Sequence, residues 1–96
     1  MSSSFALEIP RQHPCFPGHF PGFPLVPGAL LLAWIRARCE GELGKKIIAI
    51  RVCKFLAPAL PGDELCVNID DRGTGSASVV ATKNGRASLK AQFIYE

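Results

Sequence analysis

The stretch Ala29-Leu30-Leu31-Leu32-Ala33-Trp34-Ile35 offers water no polar face. A helix that is polar on one side can lie on a surface, whereas one that is apolar all round has to be wrapped by the rest of its chain. From Pro27-Gly28 to Glu40 helix formers run without proline or internal glycine, and Gly41 and Gly44 supply stop signals. The spacing therefore predicts a helix of about three to four turns, enclosed by whatever else the chain can build.

The wrapping material reads as strands. Phe5, Leu7 and Ile9 alternate with Ala6 and Glu8 up to Pro10, and Ile47 to Phe55 reads as a nearly continuous apolar strand. Glu64 to Asp70 alternates Leu65, Val67 and Ile69 with polar neighbours, and Ala77 to Lys83 is a further strand. Asn84-Gly85 is a strong two-residue hairpin signal, after which Arg86 to Tyr95 alternates again. Asp71-Arg72-Gly73-Thr74-Gly75 makes the turn before it, so the second half is an antiparallel meander. One long helix inside a curled antiparallel sheet of about five strands is an α+β architecture. No repeat or second domain interrupts residues 1–96.

Composition agrees with a folded domain, at 48% hydrophobic and 20% charged residues. A chain of 96 residues has a thin core, and a partner subunit would thicken it. The net charge of +3 is mild and its basic residues are scattered, which argues against nucleic acid as a partner. The stretch Phe23 to Ile35 is broken by Pro24, Pro27 and Gly28 and is too short for a membrane span. Cys15, Cys39, Cys53 and Cys66 form no Cys-x-x-Cys pair and no apolar signal segment precedes the domain, so the expected compartment is the reducing cytoplasm.

His13 to Gly28, HPCFPGHFPGFPLVPG, holds both histidines of the chain and leads straight into the apolar helix. Its prolines recur about every third residue, as in polyproline ligands, but Phe16, Phe20, Phe23, Leu25 and Val26 suit a packed loop better. His13, Cys15 and His19 could begin a metal site, with a fourth ligand from Cys39, Cys53, Cys66 or a carboxylate; the expectation is that no metal is bound. A third reading is catalytic. Gly18 and Gly22 permit turns on either side of His19-Phe20-Pro21, and Pro27 leaves Gly28 at the helix entrance. Unpaired amides at a helix N-terminus stabilise an oxygen that gains negative charge, and Gly28 has no side chain to block its approach. An imidazole beside such a donor is equipped to remove a proton α to a carbonyl. A histidine merely hydrogen-bonded in a packed loop remains the plain alternative.

His19-Phe20-Pro21-Gly22-Phe23-Pro24-Leu25-Val26-Pro27-Gly28 resembles the His-Phe-Pro-Gly-x-Pro-x-x-Pro-Gly signature of the β-hydroxyacyl-acyl carrier protein dehydratases. Lys54-Phe55-Leu56-Ala57-Pro58-Ala59-Leu60-Pro61-Gly62-Asp63-Glu64-Leu65 is similar to that family's Lys-Phe-x-x-Pro-x-x-Pro-Gly-Asp-x-Leu. The resemblance implies a hotdog fold, a dimer with active sites at the subunit interface, and no cofactor. It implies elimination of water from a (3R)-hydroxyacyl thioester to a trans-2-enoyl thioester. His19 would take the C2 proton and the Gly28 amide would hold the thioester carbonyl. Phe20, Phe23, Val26, Ala33 and Trp34 would contact the substrate.

One position departs from the pattern. The family's helix acid lies five residues after the final glycine of the signature, and Ala33 stands there. Loss of a positioned acid typically costs about 10²- to 10⁴-fold in rate. Three accounts compete: His19 performs both proton transfers, another group substitutes, or a partner chain in a heterodimer supplies the acid. Glu40 is on the same helix face as Ala33 but about 10 Å along it, a poor replacement; Cys39, Tyr95 and His13 qualify only by their chemistry. Trp34 next to this position looks like the dehydratases of aryl polyene and related pigment clusters, which points to a carrier-bound polyene or aromatic substrate.

An acidic carrier protein calls for basic residues at the site mouth, with Arg36, Arg38, Arg51, Lys54, Arg86 and Lys90 available. The expected activity is a hydro-lyase acting on an acyl carrier protein-bound substrate, as a homodimer or as a heterodimer with a related dehydratase. The alternatives are a non-catalytic acyl-thioester-binding subunit and, more weakly, a thioesterase.

Overall fold

The computed structural model describes residues 2–11, 26 and 28–96. In chain order these form β1 (Ser2–Glu8), α1 (Gly28–Leu43), β2 (Ile47–Phe55), β3 (Glu64–Asp71), β4 (Ser76–Lys83) and β5 (Arg86–Tyr95). The strands make one antiparallel sheet in the order β1-β3-β4-β5-β2. His13, Cys15, His19, Phe20 and Phe23 lie outside the described residues.

Alternation builds the core. Leu65, Val67 and Ile69 of β3, Ala77, Val79 and Ala81 of β4, and Leu89, Ala91 and Phe93 of β5 are buried on one face. Leu31, Ile35 and Cys39, spaced one turn apart, are the buried positions of α1 in the same cluster. Asn84 and Gly85 adopt φ of 52° and 80° between the paired Lys83 and Arg86, the mirror-image turn that matches strand twist.

The helix is covered less completely than its sequence demands. Ala29, Ala33 and Ala37 are exposed, and Leu30, Leu32 and Trp34 are half-buried against the core. One face of one sheet covers one stripe of a helix, so a single chain cannot enclose it. The helix also runs through Gly41, which has open space around it, and stops at Gly44. There φ is 65° and the amide bonds back to Glu40 O at 2.9 Å, a left-handed cap.

β2 is the strand expected over Ile47 to Phe55. Despite its apolar run it is a sheet edge, with Ile48, Val52 and Phe55 each about half exposed and Leu56 just beyond them alike. Register shifts between Ile47 and Ala49 and between Ile50 and Val52 break its alternation. β1 begins earlier than its hydrophobic pattern, because pairing with β3 recruits the serines, Ser2 opposite Asp70 and Ser4 opposite Asn68. Among the described residues no helix is long and apolar enough to cross a membrane.

Candidate active site at the helix N-terminus

Gly28 opens α1, and the first turn of the helix carries no acidic side chain. No carboxylate of that first turn competes for the helix-terminal amides, so the end suits a developing negative charge. A cavity of about 400 Å³ lies beside it. Val26, Gly28 and Leu31 form one wall and the segment Phe55 to Ala59 forms the other. Every described lining side chain is apolar or absent, while backbone groups leave a substantial polar share of the surface, a mixture that suits a hydrocarbon chain attached to a polar group.

Two hydrogen-bonded devices set this geometry. The buried Val26 donates its amide to Ala59 O at 3.0 Å, tying the loop exit to the opposite wall. Leu60-Pro61-Gly62-Asp63 is a turn closed by Asp63 N to Leu60 O at 3.1 Å, with Gly62 at φ 81°, where proline second and glycine third are the favoured residues. Asp63 Oδ2 also accepts from the Leu60 amide and from Lys83 Nζ, each at 2.8 Å. Gly62 and Ile9 close the base of the loop through Gly62 N to Ile9 O and Ile9 N to Asp63 O. The Pro-Gly-Asp block is thus scaffolding that fixes the 56–63 segment.

The glycine at 28 has a reason inside the chain. A Cβ there would stand 3.0 to 3.3 Å from three atoms of the Phe55 ring. The side of Gly28 expected to be open for substrate is in part the seat of an aromatic ring. Phe55 to Ala59 are wall residues that no chemical argument from sequence singled out; their signal was the second signature block.

The expected site residues divide. Val26 and Gly28 share the cavity. Trp34 borders a different one, of about 370 Å³, with Leu7, Glu8, Pro10, Ala37 and Arg38. Ala33 lines neither and faces out of the chain. Of the substitute acids, Glu40 is committed elsewhere: its Oε2 accepts the Ile47 amide at 2.8 Å while Arg36 Nη2 donates to Ile47 O at 2.6 Å. Cys39 is fully buried, and burial, reinforced by Glu42, pushes its thiol up to about 12. Tyr95 donates to Asp71 Oδ1 at 2.6 Å, a bond that raises the phenol above its ordinary value. Of the basic residues, Arg36 is thus held at Ile47 and Arg38 lies 4.6 Å from the Phe5 ring centre, whereas Lys54 and Lys90 stand directly opposite each other in the sheet. Among the described residues no group of three or more metal-ligating side chains converges.

Comparison with known proteins gives a consistent picture. Residues 1–91 match the profile of the ApeI-like family, described as ApeI dehydratase. The 3-hydroxyacyl-acyl-carrier-protein dehydratase FabZ of Haemophilus influenzae strain 86-028NP is 34% identical over 91% of this chain and 68% of its own length. FabZ of Mannheimia succiniciproducens is 35% identical over 91% and 67%. In structure, the dehydratase heterocomplex ApeI:P from Xenorhabdus doucetiae superposes with a TM-score of 0.79 at 22% identity, over 98% of this chain and 86% of the other. An (R)-hydratase from A. caviae involved in PHA biosynthesis gives 0.74 at 11%, over 100% and 93%. The fold they share with this chain is the hotdog.

Proposed function

Because the chain belongs to the ApeI-like dehydratase family, we propose that it removes water from a (3R)-3-hydroxyacyl thioester carried on an acyl carrier protein, leaving a trans-2-enoyl thioester. The observation that carries this reading is Gly28, the first residue of α1, beside a cavity of about 400 Å³ whose described side chains are apolar. In the reaction His19 takes the proton from C2, and the Gly28 amide holds the thioester oxygen as charge moves onto it. The C2 electron pair becomes the double bond, the C3–O bond breaks, and the hydroxyl leaves as water on receiving a proton. Phe20, Phe23 and Val26 flank the acyl chain. No cofactor is needed for this proton bookkeeping.

The last proton has two sources. The imidazolium of His19 can return the one it took, or an acid from a second chain can give it. The outward position of Ala33 favours the second: a side chain here serves a neighbour's site more readily than the Gly28 cavity of its own chain. The free edge of β2, with its half-exposed Ile48, Val52, Phe55 and Leu56, is the surface along which a related chain pairs. The heterocomplex nature of the ApeI:P structure supports that arrangement. A partner that keeps an acid opposite Ala33 completes one site, with His19 from this chain. The Trp34 ring, with Leu7, Pro10 and Ala37 beside it in a cavity that Glu8 and Arg38 also line, suits a conjugated or aromatic acyl group.

Mass spectrometry of 3-hydroxyacyl-carrier protein incubated with the purified protein tests this, with His19→Ala as control. Loss of water dependent on His19 establishes the dehydratase and shows that Ala33 is tolerated. Activity only after adding an acid-bearing homologue establishes the half-site subunit. Release of free carrier thiol identifies a thioesterase instead, and absence of turnover in every combination leaves a thioester-binding subunit.

A further inference from the structure

Two like-charged pairs sit on the outer face of the sheet, the side away from α1. Alternation places them there, since Leu7, Leu65 and Leu89 beside them are buried in the core cluster; Glu8, on the edge strand β1, also borders the Trp34 cavity. Glu8 stands directly opposite Glu64 across β1 and β3, and Lys54 directly opposite Lys90 across β2 and β5. All four are exposed. Like charges facing each other weaken a sheet, and among the described residues neither pair meets an opposite charge: the ion pairs there are Arg72 with Asp70 and Lys83 with Asp63.

The two pairs occupy opposite corners of that face. In the order β1-β3-β4-β5-β2, their midpoints are three strand spacings apart, roughly 14 Å. Asn68 shares the row of Lys90 through Val80, and Glu64 lies four residues further along β3, about 13 Å. A separation of roughly 20 Å exceeds the screening length of about 8 Å at physiological salt, so the pairs do not neutralise each other within one chain. Between them lie Ser4, Ala6, Cys66, Asn68, Val80 and Thr82, uncharged and modest in size, over which another surface can approach closely.

We infer that this outer face docks a second copy of the same chain, with each lysine pair set over the glutamate pair of the other copy. A two-fold axis lying between the faces and bisecting the line from one pair to the other performs that exchange, and both repulsions become attractions. An acidic partner of another kind would relieve Lys54 and Lys90 but leave Glu8 and Glu64 opposed. The surface is separate from the β2 edge and does not depend on any catalytic activity.

Charge reversal tests it. Lys54→Glu/Lys90→Glu and Glu8→Lys/Glu64→Lys keep one like-charged pair at each site, so the repulsion within each sheet is preserved; circular dichroism checks that both fold. Light scattering at low salt is expected to give each double variant half the wild-type mass, with the full mass restored in a 1:1 mixture of the two. Equal masses for wild type and both variants overturn the inference, as does a mixture of two folded variants that stays at half mass. Equal masses together with weakened binding of an acidic carrier protein by the lysine variant alone would also overturn it, and would assign the lysines to that partner.

Discussion

Glu40 holds the backbone of Ile47: its Oε2 accepts the Ile47 amide at 2.8 Å, one helical turn after Arg36 takes the carbonyl of the same residue. The two bonds satisfy the backbone of the first residue of β2 and moor the end of α1 to the sheet edge. Glu40→Ala leaves a part-buried amide without its charged acceptor, a loss of about 1–3 kcal/mol. Glu40→Gln keeps an acceptor oxygen and is expected to recover most of it in urea unfolding. Dehydration per folded molecule is unchanged in both, because this carboxylate does not reach the cavity.

Gly28→Ala drives a methyl to within 3.0 Å of the Phe55 ring. Overpacking of this kind costs about 1–3 kcal/mol, and moving the ring also reshapes the wall of the cavity. Phe55→Ala vacates the space, so in a double-mutant cycle the cost of Gly28→Ala falls sharply when position 55 is already alanine. Additive melting shifts would mean that the ring yields freely and that glycine is required only for the approach of substrate.

The comparison of Gly28 with β2 shows where sequence reading succeeds. Each strand's existence, the Asn84-Gly85 hairpin and the start of α1 follow from local signals, because turn chemistry and alternation act within a few residues. The position of β2 in the sheet is a property of topology: an apolar run looks alike whether the strand is central or is an edge waiting for another chain. Gly41 reads as a stop but lies inside α1, since only at Gly44 does the backbone turn left-handed. That Val26 and Gly28 border one cavity accords with their closeness in sequence, whereas the Phe55 ring and the outward direction of Ala33 depend on how the helix lies across the sheet. The role of His19 rests on the signature and on the proposed chemistry.

Cys39 predicts a pH dependence. The unfolded thiol ionises near 9.0, whereas the buried one holds its proton to about 12. The unfolded chain therefore releases a proton first, and stability contributed by this thiol falls as pH rises from about 9 towards 12. Comparing wild type with Cys39→Ala over that window should show the wild type losing stability faster. Native Cys39 should also resist alkylation, while the exposed Cys66 reacts.

Tyr95 and Asp71 give a two-sided test. The tyrosine hydroxyl, and then the Gly73 amide at 3.0 Å, hold the Asp71 carboxyl below its usual value, while Asp71 holds the phenol above its own. The stabilisation from Asp71 is present above pH 3.8 and is lost as pH falls through the lowered value. That from Tyr95 is present below pH 10.0 and is lost as pH rises through the raised value. Tyr95→Phe should therefore differ most from wild type between these limits in thermal unfolding, with the two curves converging at both extremes.

Ala33 is exposed and stands outside the core cluster, so the fold places almost no demand on it. Ala33→Glu should change stability by no more than about 0.5 kcal/mol. A position so free of structural duty can gain or lose an acid in a single step without endangering the chain that carries it. Two duplicated subunits that still pair can therefore divide the labour of one reaction, and neither copy has to remain stable in a new way for the division to persist.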